Sequence, residues 1–388
     1  MRSEFVAAHL SLNRRRLIQS AMILPISAGV LTGAAACASK PDNGAGSPAT
    51  DEEDFDDTPI DVELAESGGW APSPYGADDQ RGTLNEVTAA KTAAALGLLS
   101  GSDAIDTHNL SETLFNGFPA LSGRVFEQRL QIDGFNPGPG FEGAVATSDP
   151  TGENRFSSLE ERYPLNGTLQ IGTQLDNLNH VAVGEMFYNG NRGSDIVKTY
   201  GTSKLGAENI GPVVTRGVLL DILQLLQNRG SNDLITASNG KPVVREDYRI
   251  TVEDLRDALA MAGLSRIEPG DAVMIRTGWN QMIYTDPDRY LSGYPGIYLR
   301  EARWLAQFRP AIVGADTWGI EQLTGSFITG FAQCHQEFIT HHGIRMHEGV
   351  VLDGLADAQK YEFVYVLAPQ VPLGATAVNA GPAALTPA

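Results

Sequence analysis

Residues 167–180 read GTLQIGTQLDNLNH. An alternating run leads to Asp176, and His180 follows four residues on. A carboxylate and an imidazole spaced this way have the layout of a metal site, yet the two upstream positions where further imidazoles belong hold Gln170 and Gln174. If Thr168 to Asp176 is extended, side chains alternate between faces. Gln170, Gly172, Gln174 and Asp176 then share one face, and Gly172 leaves room for close approach on it. A half-exposed strand with a polar face reads the same way, so the rest of the chain has to decide.

The seven histidines decide part of it. Apart from His9 and His108, they fall around 180 and between 335 and 347. On the strand-like IRMHEGV (344–350), Ile344, Met346 and Glu348 share one face, and Arg345 and His347 the other. Glu348 on an otherwise apolar face needs a partner or a metal. His347 points away and is not a ligand candidate. The HExxH metalloprotease pattern fails, because Val351 holds its second histidine position. His341 and His342 fall at a helix C-terminus, where imidazoles satisfy carbonyls and the dipole. His335 lies inside that helix and is the better ligand candidate. Its neighbour Cys334 points in a different direction on a helix, which argues against a thiol nucleophile.

Working outward, strand-like and helix-like segments alternate. VVTRGVLLDI (213–222), DAVMIRTGW (271–279), AIVGADTW (311–318) and YEFVYVLA (361–368) read as strands. TVEDLRDALAMAG (251–263) reads as a helix with Thr251 as N-cap and Gly263 past its end. REARWLAQF (300–308) and GFAQCHQEFITHH (330–342) read as further helices, the latter stopped by Gly343. The pattern predicts an α/β fold. The Gly- and Pro-rich stretch 134–155 is expected to be a long loop inside one domain spanning 69–388.

The N-terminus is expected to lie outside that domain. Asn13-Arg14-Arg15-Arg16-Leu17-Ile18-Gln19 precedes a short apolar run ending in Ala34-Ala35-Ala36-Cys37, the form of a twin-arginine export signal over 1–37. Cleavage after the alanines competes with lipid anchoring through Cys37; both place the protein outside the cytoplasm, in the periplasm or on the cell surface. Residues 38–68 are rich in Gly, Pro, Ser and acidic residues and are read as a flexible linker. If Cys37 is removed or lipidated, Cys334 has no partner for a disulfide. The chain is 42% hydrophobic, enough for a substantial core, and its formal net charge of −19 argues against nucleic acid as a partner. It carries no GxSxG elbow, Walker loop or nucleotide fingerprint.

From SPYGADDQRGTLN (73–85) to the C-terminus, the chain resembles the cyclase family of metal-dependent hydrolases that includes kynurenine formamidase and isatin hydrolase. RGVLLD (216–221), GDAVMIRTGWN (270–280), PGIYLREARWLA (295–306), VGADTWGIE (313–321) and CHQEFITHHGI (334–344) carry the resemblance in order. The family signature HxGTHxDxPxH stands here as Gln170-Ile171-Gly172-Thr173-Gln174-Leu175-Asp176-Asn177-Leu178-Asn179-His180. Gly172, Thr173, Asp176 and His180 match; both metal histidines are glutamines and the proline is Leu178. A branch with a QxxTQxD core and an FYNG segment, here Phe187–Gly190, is more similar still.

The resemblance implies a three-layer β/β/α domain of the swivelling type, assembled as a homodimer or homotetramer and acting on a small-molecule substrate. It implies metal ligands Asp176, Glu348 and His335, the last one residue further from Glu348 than in the formamidases. It also implies a general acid/base in His180. Gln170 and Gln174 either ligate weakly or hydrogen-bond the substrate. Phe115 and Phe118 in LFNGFP, and Tyr188 in the FYNG segment, are the expected substrate contacts. An oxygen-rich ligand set suits manganese better than zinc, and one ion rather than two. The expected activity is hydrolysis of a small amide, lactone or cyclic imide. Metal-free lyase or cyclase chemistry through His180, and an exported binding protein without turnover, are the competing readings.

Overall fold

A computed structural model describes residues 55–121, 123–163 and 167–388. The signal segment and the linker as far as residue 54 lie outside the described residues. From Phe55 on, the chain forms one compact unit. Its centre is a nine-stranded sheet. In chain order its strands are β1 (Ile105–Asn109), β2 (Gln174–Asp176), β3 (Val213–Asp221), β4 (Ala272–Arg276), β5 (Ile312–Ala315), β6 (Arg345–Glu348), β7 (Glu362–Leu367), β8 (Ala377–Asn379) and β9 (Ala383–Pro387). Across the sheet they run β1-β9-β7-β3-β4-β5-β6-β2-β8. The central β3, β4, β5 and β6 are parallel, and antiparallel strands flank them on both sides.

Alternation along these strands sorts their side chains into two cores. Val218, Leu220, Val273, Ile275, Val313 and Met346 pack against the helices. Leu219, Met274, Ile312, Leu175, Phe363 and Val378 form a second cluster on the other face. That second cluster draws on strands from opposite ends of the order, so the sheet curls over it. One hydrogen bond measures the curl: the Tyr365 hydroxyl on β7 meets His347 Nδ1 on β6 at 2.8 Å. In a flat sheet those strands, four spacings apart, would be roughly 19 Å from each other. The curled sheet supplies the β/β layers and the helices the α layer, the mixed α/β architecture expected from the sequence.

Helices form where the sequence caps them. Thr251 accepts from Asp254 N–H at 3.2 Å while Asp254 accepts from Thr251 N–H at 2.9 Å, a reciprocal capping box at the start of Val252–Met261. Gly263, at φ +71°, closes the helix.

Two expectations change. Residues 55–68, read as linker, pack on the body: Asp57 receives both terminal nitrogens of Arg249 at 2.8 Å, and Ile60 N–H donates to Gln333 at 2.9 Å. The acidic residues here are neutralised by arginines, Arg303 taking Asp56, so the segment orders despite its composition. Stretch 134–155 is also less irregular than expected. Ala144–Thr147 is a strand in a small sheet with Arg129–Asp133 and Ser158–Arg162.

Candidate active site

The register of β2 against β6 builds the site. Gln174 lies opposite Glu348, and Asp176 opposite Met346. Directly opposed residues on one face are contact neighbours, and Gln174 Nε2 donates to Glu348 Oε2 at 2.7 Å. Asp176 stands on the same face, fully buried. The extended run expected from Thr168 covers only Gln174–Asp176. Gly172 breaks it, at φ +64° and with Leu114 2.5 Å from where a Cβ would sit. Through that bend, Gln170 Oε1 accepts from Gln174 Nε2 at 2.9 Å.

His335 enters from the helix Gln333–His335, which continues as a π-helix over Gln336–His341. His342 N–H donates to Glu337 C=O at 3.2 Å, an i→i+5 bond. A π-turn accommodates one residue more than an α-turn. His335 Nε2 reaches Glu348 Oε1 at 3.1 Å. The other ring nitrogen, Nδ1, is held by Glu321 Oε1 at 2.7 Å, and Glu321's second oxygen accepts from Cys334 N–H at 2.8 Å. A carboxylate behind an imidazole fixes its tautomer and orientation. Glu321 had no sequence signal of its own: its partner is 14 residues away and no pattern links them.

Asp176 is the anomaly. Both its oxygens are buried without a hydrogen bond. The nearest imidazole nitrogens are His180 Nε2 at 3.8 Å and His335 Nε2 at 3.9 Å. Burial pushes its carboxyl well above the usual range, and the Glu348 charge adds to that; His335 and the Gln170 amide oppose it more weakly. The Gln174 Oε1 is likewise buried and unpartnered. Ligand atoms of Asp176, His335 and Glu348 lie within 4.8 Å of one another. Unsatisfied buried acceptors are costly and rare, and the two on Asp176 stand beside Glu348 and His335, so the donor set fits a cation of the hard, oxygen-preferring kind.

A directional chain runs away from Glu348. Gln174 gives it one amide hydrogen and Gln170 the other. Gln170 must then present its own Nε2 to His180 Nδ1, at 3.0 Å. His180 Nδ1 accepts, so the ring proton sits on Nε2, the side facing Asp176. Burial, with His335 and then Arg124 nearby, pushes the His180 pKa down to about 3, which keeps the ring neutral. For His335, burial acts downward but the Glu321 and Glu348 carboxylates outweigh it, and its pKa stands well above the usual value. Burial also pushes the Cys334 thiol well up, in keeping with an inert core side chain.

A cavity of about 410 Å³ opens beside this cluster, lined by His180, Tyr294, Trp318, Leu323, Phe331 and Arg124 among others. Phe118 lines a small adjoining hollow with Gln170, Gln174 and Glu348. Phe115 is one layer back, tilted against Phe118 at a ring separation of 5.4 Å. Tyr188 is not at the site. Its hydroxyl donates to Asp79 at 2.8 Å and its ring packs against Gly343, so it ties the turn-rich segment around Asp79 to the end of the 333–341 helix. Thus Gln170, Gln174, Asp176, His180, His335 and Glu348 come together, with Phe118 beside them, and Tyr188 stands apart.

Comparison with known proteins agrees with this architecture. A crystal structure of a protein described as a novel cyclase is 26% identical, with a TM-score of 0.64 over 80% of this chain and 97% of that one. An isatin hydrolase bound to the product analogue thioisatinate shares the fold at 14% identity, TM-score 0.50, covering 78% of this chain and all of that one. Isatin hydrolase A from Ralstonia solanacearum is 18% identical, TM-score 0.49, over 76% of this chain and 96% of that one. No curated protein matches in sequence. The sequence model of the family described as "Putative cyclase" matches residues 108–322, more than half of the 388, and so the chain belongs to the cyclase family.

Proposed function

We propose that the protein is an exported hydrolase of a small amide, lactone or cyclic imide that works with one divalent ion. The observation that carries the reading is Asp176, a fully buried carboxylate with two unpartnered oxygens between two imidazoles and a second carboxylate. Asp176, Glu348 and His335 would hold the ion, with Gln174 Oε1 as a weaker fourth donor. A divalent ion there supplies Lewis acidity, polarising a carbonyl and making bound water more acidic. His180 is the general acid/base. In the tautomer that the Gln174–Gln170–His180 chain implies, its Nε2–H donates to a carbonyl oxygen as negative charge develops on it. General-base action needs the other tautomer, in which Nε2 is free to take a proton from water. Both glutamines therefore orient Glu348 and His180, a role distinct from that of the imidazoles they replace.

Protein purified without a tag or chelator is expected to carry about one metal per chain, manganese before zinc, and to open lactams or lactones in a substrate screen. No bound metal after soaking in manganese and zinc, with turnover unaffected by chelation, would return the reading to metal-free chemistry.

Arg124 narrows the substrate. Its guanidinium lines both hollows at the site, and among the described residues no side-chain partner for it is seen. In a chain of net charge −19, a cation lining the cavity favours substrates carrying a carboxylate or a carbonyl acceptor. Arg124→Ala should raise KM roughly 10- to 100-fold with little change in kcat, from the loss of one charge-assisted hydrogen bond. Unchanged KM for an anionic substrate would remove Arg124 from the binding role.

A further inference from the structure

The π-helix that delivers His335 to the site has a second consequence on its far side. In an α-helix residues i+3 and i+4 flank residue i; in a π-turn, i+4 and i+5 fall on either side of it. Glu337 therefore has His341 and His342 both beside it. His341 Nδ1 and His342 Nε2 each lie 3.1 Å from the same Glu337 oxygen, Oε1. The expected role of these histidines, capping helix carbonyls, is not what the structure shows: they converge on a carboxylate.

We infer that Glu337, His341 and His342 form a second, solvent-facing site for a zinc-type divalent ion, separate from the Asp176 cluster. Two imidazoles and a carboxylate are a donor set suited to zinc and its neighbours, which favour nitrogen ligands. Ligand atoms of all three residues lie within 4.8 Å of one another. The two 3.1 Å separations are close to the roughly 3.3 Å between ligand atoms of a tetrahedral ion with bonds of about 2.0–2.1 Å. The surroundings hold the donors in place. The Trp70 ring stacks on His341 at 4.3 Å and 20°, and Arg303 Nε stands 3.7 Å from the other Glu337 oxygen. Glu337 is buried, while the two imidazole side chains are 33% and 36% exposed, so an ion has a path in and a side left open to water. The Arg303 contact competes for Glu337 and weakens the site without closing it.

The test uses the full chain without a histidine tag, stripped with chelator. Zinc titration should show one equivalent that His342→Gln weakens at least 100-fold and that His342→Cys, which substitutes another zinc donor, largely retains. The same equivalent should survive Asp176→Asn, which empties the other cluster. In the unmodified protein, zinc should also shield His341 and His342 from diethylpyrocarbonate, read peptide by peptide in a mass spectrometer; this needs no variant to fold. Identical zinc isotherms for wild type and His342→Gln, equal labelling with and without zinc, or binding only at millimolar zinc would each overturn the inference.

Discussion

Stripped of metal, an Asp176→Asn protein is expected to melt a few degrees above the wild type; supplied with metal, it is expected to melt below it and to be inactive. The inversion follows from the state of Asp176. Its carboxylate is fully buried, its oxygens have no hydrogen bond, and the Glu348 charge is close by. A buried group in that condition costs about 1–3 kcal/mol by mutational measures, and an amide of the same shape avoids the charge. For a chain of this length that corresponds to a few degrees in Tm. The pH dependence has a definite sign. Burial and Glu348 raise the folded pKa of Asp176 above the ordinary 3.8. An acid with a raised folded pKa is better tolerated when protonated. The advantage of the Asn variant is therefore small below pH 3.8 and grows as pH rises through the folded value. Saturating metal reverses the order, because an ion at 100 times its Kd stabilises the wild type by about 2.7 kcal/mol and the variant hardly at all. Differential scanning calorimetry with and without manganese, at two pH values, measures all of this. A metal-free variant that melts below wild type would mean that the fold already satisfies Asp176, and the argument for an ion would lose its main support.

The sequence made some of this visible, and physical reasons separate what it showed from what it hid. The parallel strands β3 to β5 were legible because each is largely an apolar run bounded by turn residues, and Glu348 on β6 was legible as a charge on an otherwise apolar face. His335 was legible as a ligand candidate on its helix, but the π-turn that follows it, closed by Glu337 C=O and His342 N–H, leaves no mark in the periodicity. Periodicity predicted a strand from Thr168, and Gly172 ends it, which is what lets Gln170 fold back onto Gln174. Residues 55–68 look like a solvated linker because the arginines that neutralise them, Arg249 and Arg303, are some 190 to 250 residues away. Glu321 was hidden for the same kind of reason: a carboxylate that holds an imidazole is ordinary in composition and distinguishable only by geometry.

Replacing both glutamines with histidine, Gln170→His and Gln174→His together, is expected to tighten zinc binding at least about 1,000-fold and at the same time to lower turnover with manganese. The affinity gain follows from donor chemistry. Four-donor zinc sites are worth about 10–16 kcal/mol, roughly 2.5–4 for each donor, and two imidazoles in place of weak amides contribute most of two such increments. A 1,000-fold change requires only about 4 kcal/mol. The loss follows from the hydrogen-bond chain. Gln174 orients Glu348 through a 2.7 Å bond, and Gln170 fixes the His180 tautomer through a 3.0 Å bond. Histidines that face an ion cannot also make those bonds, and loss of such supporting contacts typically costs 10- to 100-fold in activity. Competitive metal titration and steady-state rates with each ion separate the two effects. Unchanged zinc affinity would show that positions 170 and 174 face away from the ion. Tighter zinc with undiminished manganese turnover would show that the glutamines are weak ligands and nothing more, and would remove the amide chain from the mechanism. The expected combination, tighter zinc and slower manganese turnover, is the signature of glutamines that changed the work of the site by holding its carboxylate and its histidine in place.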